Sequence, residues 1–369
     1  MNAPTIPATG RLAVYDAPNR PFELRAYPLR PPRAGEALVK IRMSTICRSD
    51  VHSYLGHRPN PCPGVLGHEI IGDIVALGAG VTQDMRGDAL APGDRITWSE
   101  YFIPGTNYYT EVLDLPQKSP GVDKYGHMAV TTEPHHHGGF GEYCYVLPQS
   151  WILKLPADLT DEEATPVNCG VATMICVTER AAIAMGDAVV VQGLGLLGLY
   201  GAAIAKARGA RLVVGLDTVA ARRAMAPRFG VDHVLDPSAL AEAELVEHVR
   251  ALCRPEGADA VIEVCGHPEV IPAGIGFLRT GGRYALGGVV NPGSFVRIDA
   301  NLILRKLVTI TGVHNYHPRH LIEALDFVHA NRKRFPFHDL VDGKYRLDQV
   351  GTAMKDAEER RVLRAAIVP

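Results

Sequence analysis

Between Met43 and Gly72 the chain collects Cys47, Ser49, Asp50, His52, His68 and Glu69. A thiol, a hydroxyl, two imidazoles and two carboxylates in so short a span suit a metal site with a proton relay beside it. Taken singly, Cys47 reads equally well as a buried apolar residue and His52 as a satisfied core histidine. The question is whether the chain supplies a further ligand. Cys169, in Pro166-Val167-Asn168-Cys169-Gly170, does so. Cys47, His68 and Cys169 then form a three-ligand zinc set with one position open. Two thiolates and a neutral imidazole cancel the charge of Zn²⁺, which suits stabilisation of an alkoxide without a large excess charge. Asp50 and Glu69 suit the outer groups that orient His68 and tune the metal.

A metal of this kind needs a redox partner. Ala188-Val189-Val190-Val191-Gln192-Gly193-Leu194-Gly195-Leu196-Leu197-Gly198 reads as a strand, a Gly-x-Gly-x-x-Gly turn and a helix start. A second strand follows and ends in Asp217, nineteen residues past Gly198. In that context the pattern predicts a dinucleotide site. Gly193 serves the tight turn, Gly195 the close approach of a pyrophosphate, and Gly198 the packing of helix on strand. The helix N-terminus offers N–H groups and a partial positive charge to the phosphates. Asp217 would accept from the adenosine ribose and repel a 2′-phosphate, which favours NAD over NADP. The competing reading is a helix packed closely on a sheet with no ligand. Cys169 precedes the helix that leads into this region and is expected at the domain junction, where a nicotinamide would reach.

The elements that must position these groups fall into two patterns. Short strands separated by Pro and Gly over residues 11–96 predict a β-rich, barrel-like domain. Residues 98–138 are irregular and carry the run His135-His136-His137. Three adjacent side chains diverge in most backbones, so this run is a weak metal candidate. Thr160-Asp161-Glu162-Glu163 reads as a helix N-cap with a capping-box carboxylate. Beyond it, strands at 188–192, 211–217, 233–235, 259–265, 283–286 and 307–312 alternate with helices near 196–208, 219–229, 239–253, 268–279 and 318–331. That alternation predicts a parallel sheet covered on both faces. Pro227 is expected to bend the second of these helices. The last forty residues lack a strong repeat, and a terminal strand over 362–368 is expected to return to the N-terminal domain.

Composition narrows the classes. The 369 residues suggest two domains; 47% are hydrophobic and 21% charged, which are globular values. A formal net charge of -2 provides no global attraction to nucleic acid or an anionic membrane. No apolar run reaches bilayer-spanning length. The first ten residues have neither a basic nor an apolar leader pattern and are expected to be a short disordered lead-in. Seven scattered cysteines, an odd number, argue against a disulfide framework and suit a reducing cytoplasm.

These motifs resemble the zinc-containing medium-chain alcohol dehydrogenase superfamily over essentially the whole chain after the first ten residues. The residues that carry the resemblance are Cys47-Arg48-Ser49-Asp50-x-His52, Gly67-His68-Glu69-x-x-Gly72, Pro92-Gly93-Asp94-Arg95, Gly138-Gly139-Phe140, Cys169-x-x-x-Thr173 and the Gly193 fingerprint. The resemblance implies an α/β chain with a GroES-like, β-rich catalytic domain over residues 1–170 and 315–369. A Rossmann NAD-binding domain, a doubly wound parallel sheet, would occupy 171–314. It also implies that Cys47, His68 and Cys169 bind the catalytic zinc and that Ser49 and His52 relay the proton. Arg48 and Arg364 would contact the pyrophosphate. Thr173 and Val289 would lie against the nicotinamide, and Arg222 joins the cofactor-binding set. The implied reaction is reversible oxidation of an alcohol, with hydride passing to the nicotinamide. A homodimer or homotetramer is the family-level expectation.

One departure concerns the lobe between the Pro-Gly-Asp and Gly-Gly-Phe motifs, where most relatives carry four structural-zinc cysteines. Residues 99–138 contain no cysteine. One catalytic zinc per chain and no structural zinc are expected, with a looser or differently packed lobe. By the same resemblance His57, Arg58, Trp98 to Glu100 and His314-Asn315-Tyr316 line the substrate pocket. Arg58 and His314 suggest a polar, anionic substrate. The stretches Leu55-Gly56-His57-Arg58-Pro59, Lys124-Tyr125-Gly126-His127 and Gly312-Val313-His314-Asn315-Tyr316 resemble the phosphonate-catabolism-associated alcohol dehydrogenases. A polyol, an amino-alcohol or a cyclic secondary alcohol remains an alternative, as does a non-catalytic nucleotide-binding protein.

Overall fold

The strand Ala37–Thr45 is the spine of the first unit. Its β-branched and apolar residues Val39, Ile41 and Met43 are buried, while Lys40 and Arg42 between them are exposed. It pairs antiparallel with Glu69–Leu77, which sets Thr45 opposite Glu69. It also pairs with Tyr143–Val146 and with the terminal strand Ala365–Val368, where Ala366 faces Thr45. The terminal strand therefore does return to the N-terminal sheet, and it pairs in parallel with Gly343–Arg346 on its other side. A smaller sheet of Thr9–Tyr15, Glu23–Pro28 and Gly64–Val65 flanks this one in the chain order. Ile70, Ile74, Ile96, Trp98, Tyr125 and Cys144 form one apolar cluster of the unit. Leu12, Val14, Val51, Leu66 and Phe140 belong to another.

The computed structural model describes residues 6–369. The first five residues of the expected lead-in lie outside the described residues. The rest of that expectation is corrected, since Thr9 and Gly10 already belong to a strand. The chain divides into two compact units. One comprises residues through Cys169, His317–Arg332 and Phe337–Pro369, and the other Gly170–Tyr316 and Lys333–Pro336. Among the described residues no helix is long and apolar enough to cross a membrane.

The second unit holds a six-stranded, wholly parallel sheet. Its strands are Ala188–Gln192, Leu212–Leu216, His233–Leu235, Ala258–Glu263, Leu278–Leu286 and Thr309–Gly312. From edge to edge they run third, second, first, fourth, fifth, sixth in chain order. That order reverses between the first and fourth strands and is the dinucleotide-binding arrangement. The run Ala188–Gln192 is buried throughout, as a strand covered on both faces must be. The bend at Pro227 is a break: the α-helix ends at Met225 and a 3₁₀ turn continues to Phe229. One helix escapes the sequence pattern. Ala300–Lys306 is capped by Asp299, whose side chain accepts from Asn301 N, and Leu307 ends it in a left-handed conformation. The last strand accordingly begins at Thr309 rather than at Leu307. The late segment also holds the helix Val350–Glu358, absent from the sequence reading.

Two features of the irregular lobe matter for the site. Tyr101–Phe102 pairs antiparallel with Asp123–Lys124, so the lobe leaves and re-enters as a two-stranded ribbon. Inside it, Asn107 caps the helix Tyr108–Glu111 through Tyr109 N at 2.9 Å, and its Oδ1 also receives the Ser119 hydroxyl at 3.5 Å. The histidine run diverges into three carbonyls. His135 donates to Val130 O at 2.8 Å, His136 to Tyr27 O at 3.3 Å and His137 to Ala129 O at 3.1 Å. His136 and His137 are fully buried, so the run acts in packing.

Candidate functional site

The ends of three neighbouring strands and one helix start meet around Cys47. Cys47 is the N-cap of the helix Arg48–Tyr54. Asp50, at the third helical position, accepts from Cys47 N at 2.8 Å and so closes the cap. The same carboxylate accepts from Gly67 N at 3.3 Å, and its Oδ1 lies 3.2 Å from His68 Nδ1. Asp50 and His68 are both buried. Nδ1 of His68 thus donates to a carboxylate, which leaves Nε2 as the lone-pair nitrogen of the neutral ring. Nε2 has no hydrogen-bond partner within the protein. It lies with Cys47 Sγ, Cys169 Sγ and a Glu69 carboxylate oxygen in a group whose atoms are all within 4.8 Å of one another.

Cys169 is brought there by the residue before it. The buried Asn168 donates from Nδ2 to His68 O at 3.0 Å and to Trp98 O at 2.8 Å. These bonds tie the turn that ends at Asn168 to the strand end at His68 and to the strand Arg95–Trp98. Glu69 takes the Thr45 hydroxyl across the strand pair. Arg364, at the start of the terminal strand, donates to Ile46 O at 2.8 Å and lies 3.6 Å from Glu69 Oε1.

The electrostatics fit a bound divalent cation. Cys47 is pulled well below the usual thiol range by a hydrogen bond from Cys169 and by His68, against the cost of burial. Cys169 moves the opposite way because it holds the shared proton beside that thiolate and is buried. A pair of thiols that already shares one charge is ready to lose the second proton to a metal. Burial pushes Glu69 up to about 7, against the pull of Arg364. Two sulfurs, one imidazole nitrogen and an oxygen within reach are a zinc donor set rather than a magnesium or calcium one.

The remaining residues of this unit are placed as follows. Ser49 and His52 stand three apart on the helix Arg48–Tyr54 and so share a face. His52 Nδ1 is 3.5 Å from His57 Nδ1. Burial and the nearby Arg48 depress His52 below the ordinary imidazole value. Arg48 donates to the carbonyls of Ala357 and Glu358, at the end of the helix Val350–Glu358. Arg58 is half-buried, and its backbone N–H bonds His52 O. Trp98 requires correction as a pocket residue: it is fully buried in the apolar cluster and its ring meets Tyr125 edge-on. The strand period turns Trp98 inward, whereas Glu100, past the strand end, approaches His68.

Sequence reasoning placed Glu100 in the pocket-lining stretch but gave no site role to Lys124 or His127. Glu100 Oε2 lies 3.8 Å from His68 Nε2 and 3.2 Å from Lys124 Nζ. The His127 ring centroid is 5.7 Å from that of His68. The quoted stretch Lys124-Tyr125-Gly126-His127 held the signal, a cation and an imidazole bounded by a turn glycine.

In the second unit the fingerprint is a strand–turn–helix. Gly193 has φ +97°, and a Cβ there would meet Cys265 at 2.7 Å. A Cβ on Gly198 would come within 1.8 Å of Gly193 O, so only glycine allows the helix to sit on the turn. Gly195 is the N-cap of Leu196–Ala207, whose first N–H groups are free to meet an anion. Asp217 accepts from Leu194 N and Val219 N, each at 2.8 Å. Arg222 Nη1 stands 3.6 Å from Asp217 and would be 3.7 Å from a Cβ on Gly195. Thr173 lies on the helix Gly170–Arg180, Val289 in the loop after Leu278–Leu286, and His314 in the exposed segment after Thr309–Gly312.

Fold and site together are those of a metal-assisted dehydrogenase that uses a nicotinamide dinucleotide. Residues 33–157 match the alcohol dehydrogenase GroES-like domain, and residues 197–330 the zinc-binding dehydrogenase domain. An L-threonine 3-dehydrogenase of Pyrococcus horikoshii is 31% identical over 78% of this chain and 77% of its own. A sorbitol dehydrogenase of Halalkalibacterium halodurans is 29% identical over 93% of this chain and 95% of its own. An alcohol dehydrogenase of Thermotoga maritima superposes with a TM-score of 0.93 at 26% identity, over 98% of this chain and 99% of that one. The chain belongs to the zinc-binding medium-chain alcohol dehydrogenase superfamily and is an oxidoreductase.

Proposed function

We propose that this protein catalyses the reversible NAD-dependent oxidation of a polar alcohol to an aldehyde or ketone, at a single zinc held by Cys47, His68 and Cys169. The observation that carries the reading is the buried Nε2 of His68, turned by Asp50 toward two cysteine sulfurs. A zinc ion there would act as Lewis acid on the substrate oxygen. Asp50 fixes the His68 tautomer. Asn168 holds Cys169 in line with His68. Ser49 and His52 carry the proton outward along one helix face, and the depressed basicity of His52 suits rapid release. Glu69 and Arg364 set the charge behind the ligands. The fixed carboxylate of Asp217 favours NAD, with Arg222, Arg48 and Arg364 serving the phosphates and Thr173 and Val289 the nicotinamide. The unit Gly170–Tyr316 is the nucleotide domain. The protein works as a homodimer or homotetramer in the cytoplasm, with no structural zinc in the cysteine-free lobe.

Two substrate readings compete. Arg58 and His314, with the phosphonate-type stretches, support an anionic, phosphonate-bearing alcohol. The similarity to a sorbitol dehydrogenase and to an L-threonine 3-dehydrogenase supports a polyol or an amino-alcohol. An NAD⁺-reduction screen of neutral, polyol, amino, cyclic and phosphonate alcohols, with metal analysis, tests both. About one zinc per chain with alcohol-dependent NADH formation is expected. A zinc-free chain that binds NAD without turnover would overturn the enzymatic reading.

A further inference from the structure

We propose that His57 is the outer member of the proton relay, taking the proton from His52 and delivering it to water at the surface of the first unit. The inference rests on Cys47, His68 and Cys169 being the zinc site and on Ser49 and His52 being the relay, and it deepens that reading by naming the exit. His57 then serves the proton, whereas the family resemblance sets it against the substrate.

The pair is built by the turn that ends the helix Arg48–Tyr54. Leu55 N donates to Val51 O at 2.9 Å and Gly56 N to Ser53 O at 3.2 Å. Gly56 then takes φ +76°, a left-handed conformation that reverses the chain. Arg58 N returns to His52 O at 3.2 Å. The carbonyl of His52 is thereby bonded to the residue after His57, which lays the two rings against each other. Their centroids are 5.7 Å apart, and Nδ1 of one is 3.5 Å from Nδ1 of the other. A second segment clamps the turn. Asn19 N donates to Tyr54 O at 2.8 Å and Asn19 Nδ2 to Leu55 O at 3.3 Å. A Cβ on Gly56 would stand 3.1 Å from Pro18 Cβ. His57 is exposed, yet the backbone on both sides of it is held.

The contact joins like atoms of two imidazoles, so one Nδ1 donates and the other accepts. At 3.5 Å it is long for a hydrogen bond and suits a contact that tightens as a proton is passed. His52 is half-buried and His57 exposed, so the pair leads from the interior to water. Charge sets the direction of travel. Burial disfavours the His52 imidazolium most, followed by Arg48 and His57; Arg58 adds to this and Cys47 opposes it. A proton that reaches His52 is therefore pushed onward. On the exposed ring water solvates the charge. When His52 accepts the relayed proton at Nε2, its Nδ1–H bond breaks and an N–H bond forms at His57 Nδ1. His57 then yields its Nε2 proton to water. One proton leaves and no electrons move. Each ring ends in its other tautomer, and ring rotation with exchange to water resets the pair. Without His57 the proton must leave directly from a half-buried ring beside two guanidinium groups.

The test uses zinc-loaded protein with NAD⁺ and whichever of propan-2-ol, propane-1,2-diol, 1-aminopropan-2-ol and 2-hydroxypropylphosphonate is oxidised fastest. At low buffer a pH indicator follows proton release in stopped flow; NADH formation is then measured as HEPES is raised. In the unaltered protein NADH formation is expected to be independent of HEPES. His57→Gln and His57→Phe are each expected to slow proton release by about tenfold or more at unchanged zinc content. Their NADH formation is expected to climb as HEPES takes the proton from His52 in place of His57. A readout without turnover is NMR of ¹⁵N-histidine-labelled, zinc-loaded protein. There His52 is expected to titrate at higher pH in His57→Gln than in the unaltered protein, because a like charge has been removed. Proton release as fast in both variants as in the unaltered protein, slow turnover that HEPES does not restore, or an unmoved His52 titration overturns the exit and leaves the zinc reading intact. Absence of zinc or of any alcohol turnover in the unaltered protein overturns the site reading and this inference with it. If both variants lose zinc, the unaltered protein decides, and NADH formation that climbs with HEPES there overturns the exit.

Discussion

Asp50 Oδ1 sits 3.2 Å from Nδ1 of the buried His68 while Oδ2 of the same carboxylate takes the backbone N–H of Cys47. One side chain therefore aligns two candidate zinc ligands, one through its ring and one through its main chain. Asp50→Asn keeps the shape but removes the charge and presents an amide to Nδ1–H. The expected outcome is a loss of about 10–100-fold in zinc affinity, read by competition with a chelator. Asp50→Ala also leaves Cys47 N and Gly67 N without their acceptor, and should cost a further ~1–3 kcal/mol of unfolding free energy for each buried group left unsatisfied.

Cys47→Ser and Cys169→Ser should each bring zinc from about one equivalent per chain to near zero and abolish alcohol oxidation. Elemental analysis of purified protein checks the first outcome and NAD⁺ reduction the second. Full turnover by a zinc-free Cys169→Ser protein would refute the proposed centre.

The histidine run makes the chain acid-sensitive away from the metal. Burial depresses His136 and His137 to about 4. In the unfolded chain both titrate near ~6.5. The unfolded state takes up protons first as pH falls, so the stability is present above ~6.5 and is lost progressively toward ~4. Each histidine should cost about 2 kcal/mol near pH ~5 relative to neutral pH. Urea unfolding at the two pH values measures the sum, and His137→Gln should remove about half of it. A stability flat between these values would contradict the burial seen here.

Asp217, proposed to meet the adenosine ribose, also holds the turn through Leu194 N and Val219 N. Asp217→Ala should raise KM for NAD⁺ by about 10–100-fold, as expected for lost charge-assisted bonds. It should also reduce discrimination against NADP⁺, because Arg222 would stand without its carboxylate. Parallel kinetics with both coenzymes provide the check.

The parallel sheet and the Gly193 turn were legible because local chemistry dictates them. Apolar runs, a glycine-only contact at Gly198 and an acidic strand end leave few alternatives. Cys47, His68 and Cys169 were legible as residue types, and the structure brings their ligand atoms together. Trp98 was misplaced because sequence proximity to the Gly-Asp turn says nothing about which way a strand residue points. His127 had no assigned role because its approach to His68 depends on the contact of Gly126 with Gly67, fifty-nine positions apart in the sequence. The helix Ala300–Lys306 was overlooked because its length gives too few turns for a period to show.

Arg364 reaches Ile46 O across 318 positions of sequence. The strand it precedes completes the sheet that carries Thr45 and Glu69. The polar backing of the proposed metal centre is therefore finished only when the two most distant parts of the first unit have met, with the whole second unit intervening in the chain. Closing so long a loop is slow, and contacts of this separation form late in folding. Zinc capture should then lag the appearance of secondary structure in refolding, which makes the metal a reporter of the last step rather than a template for the first.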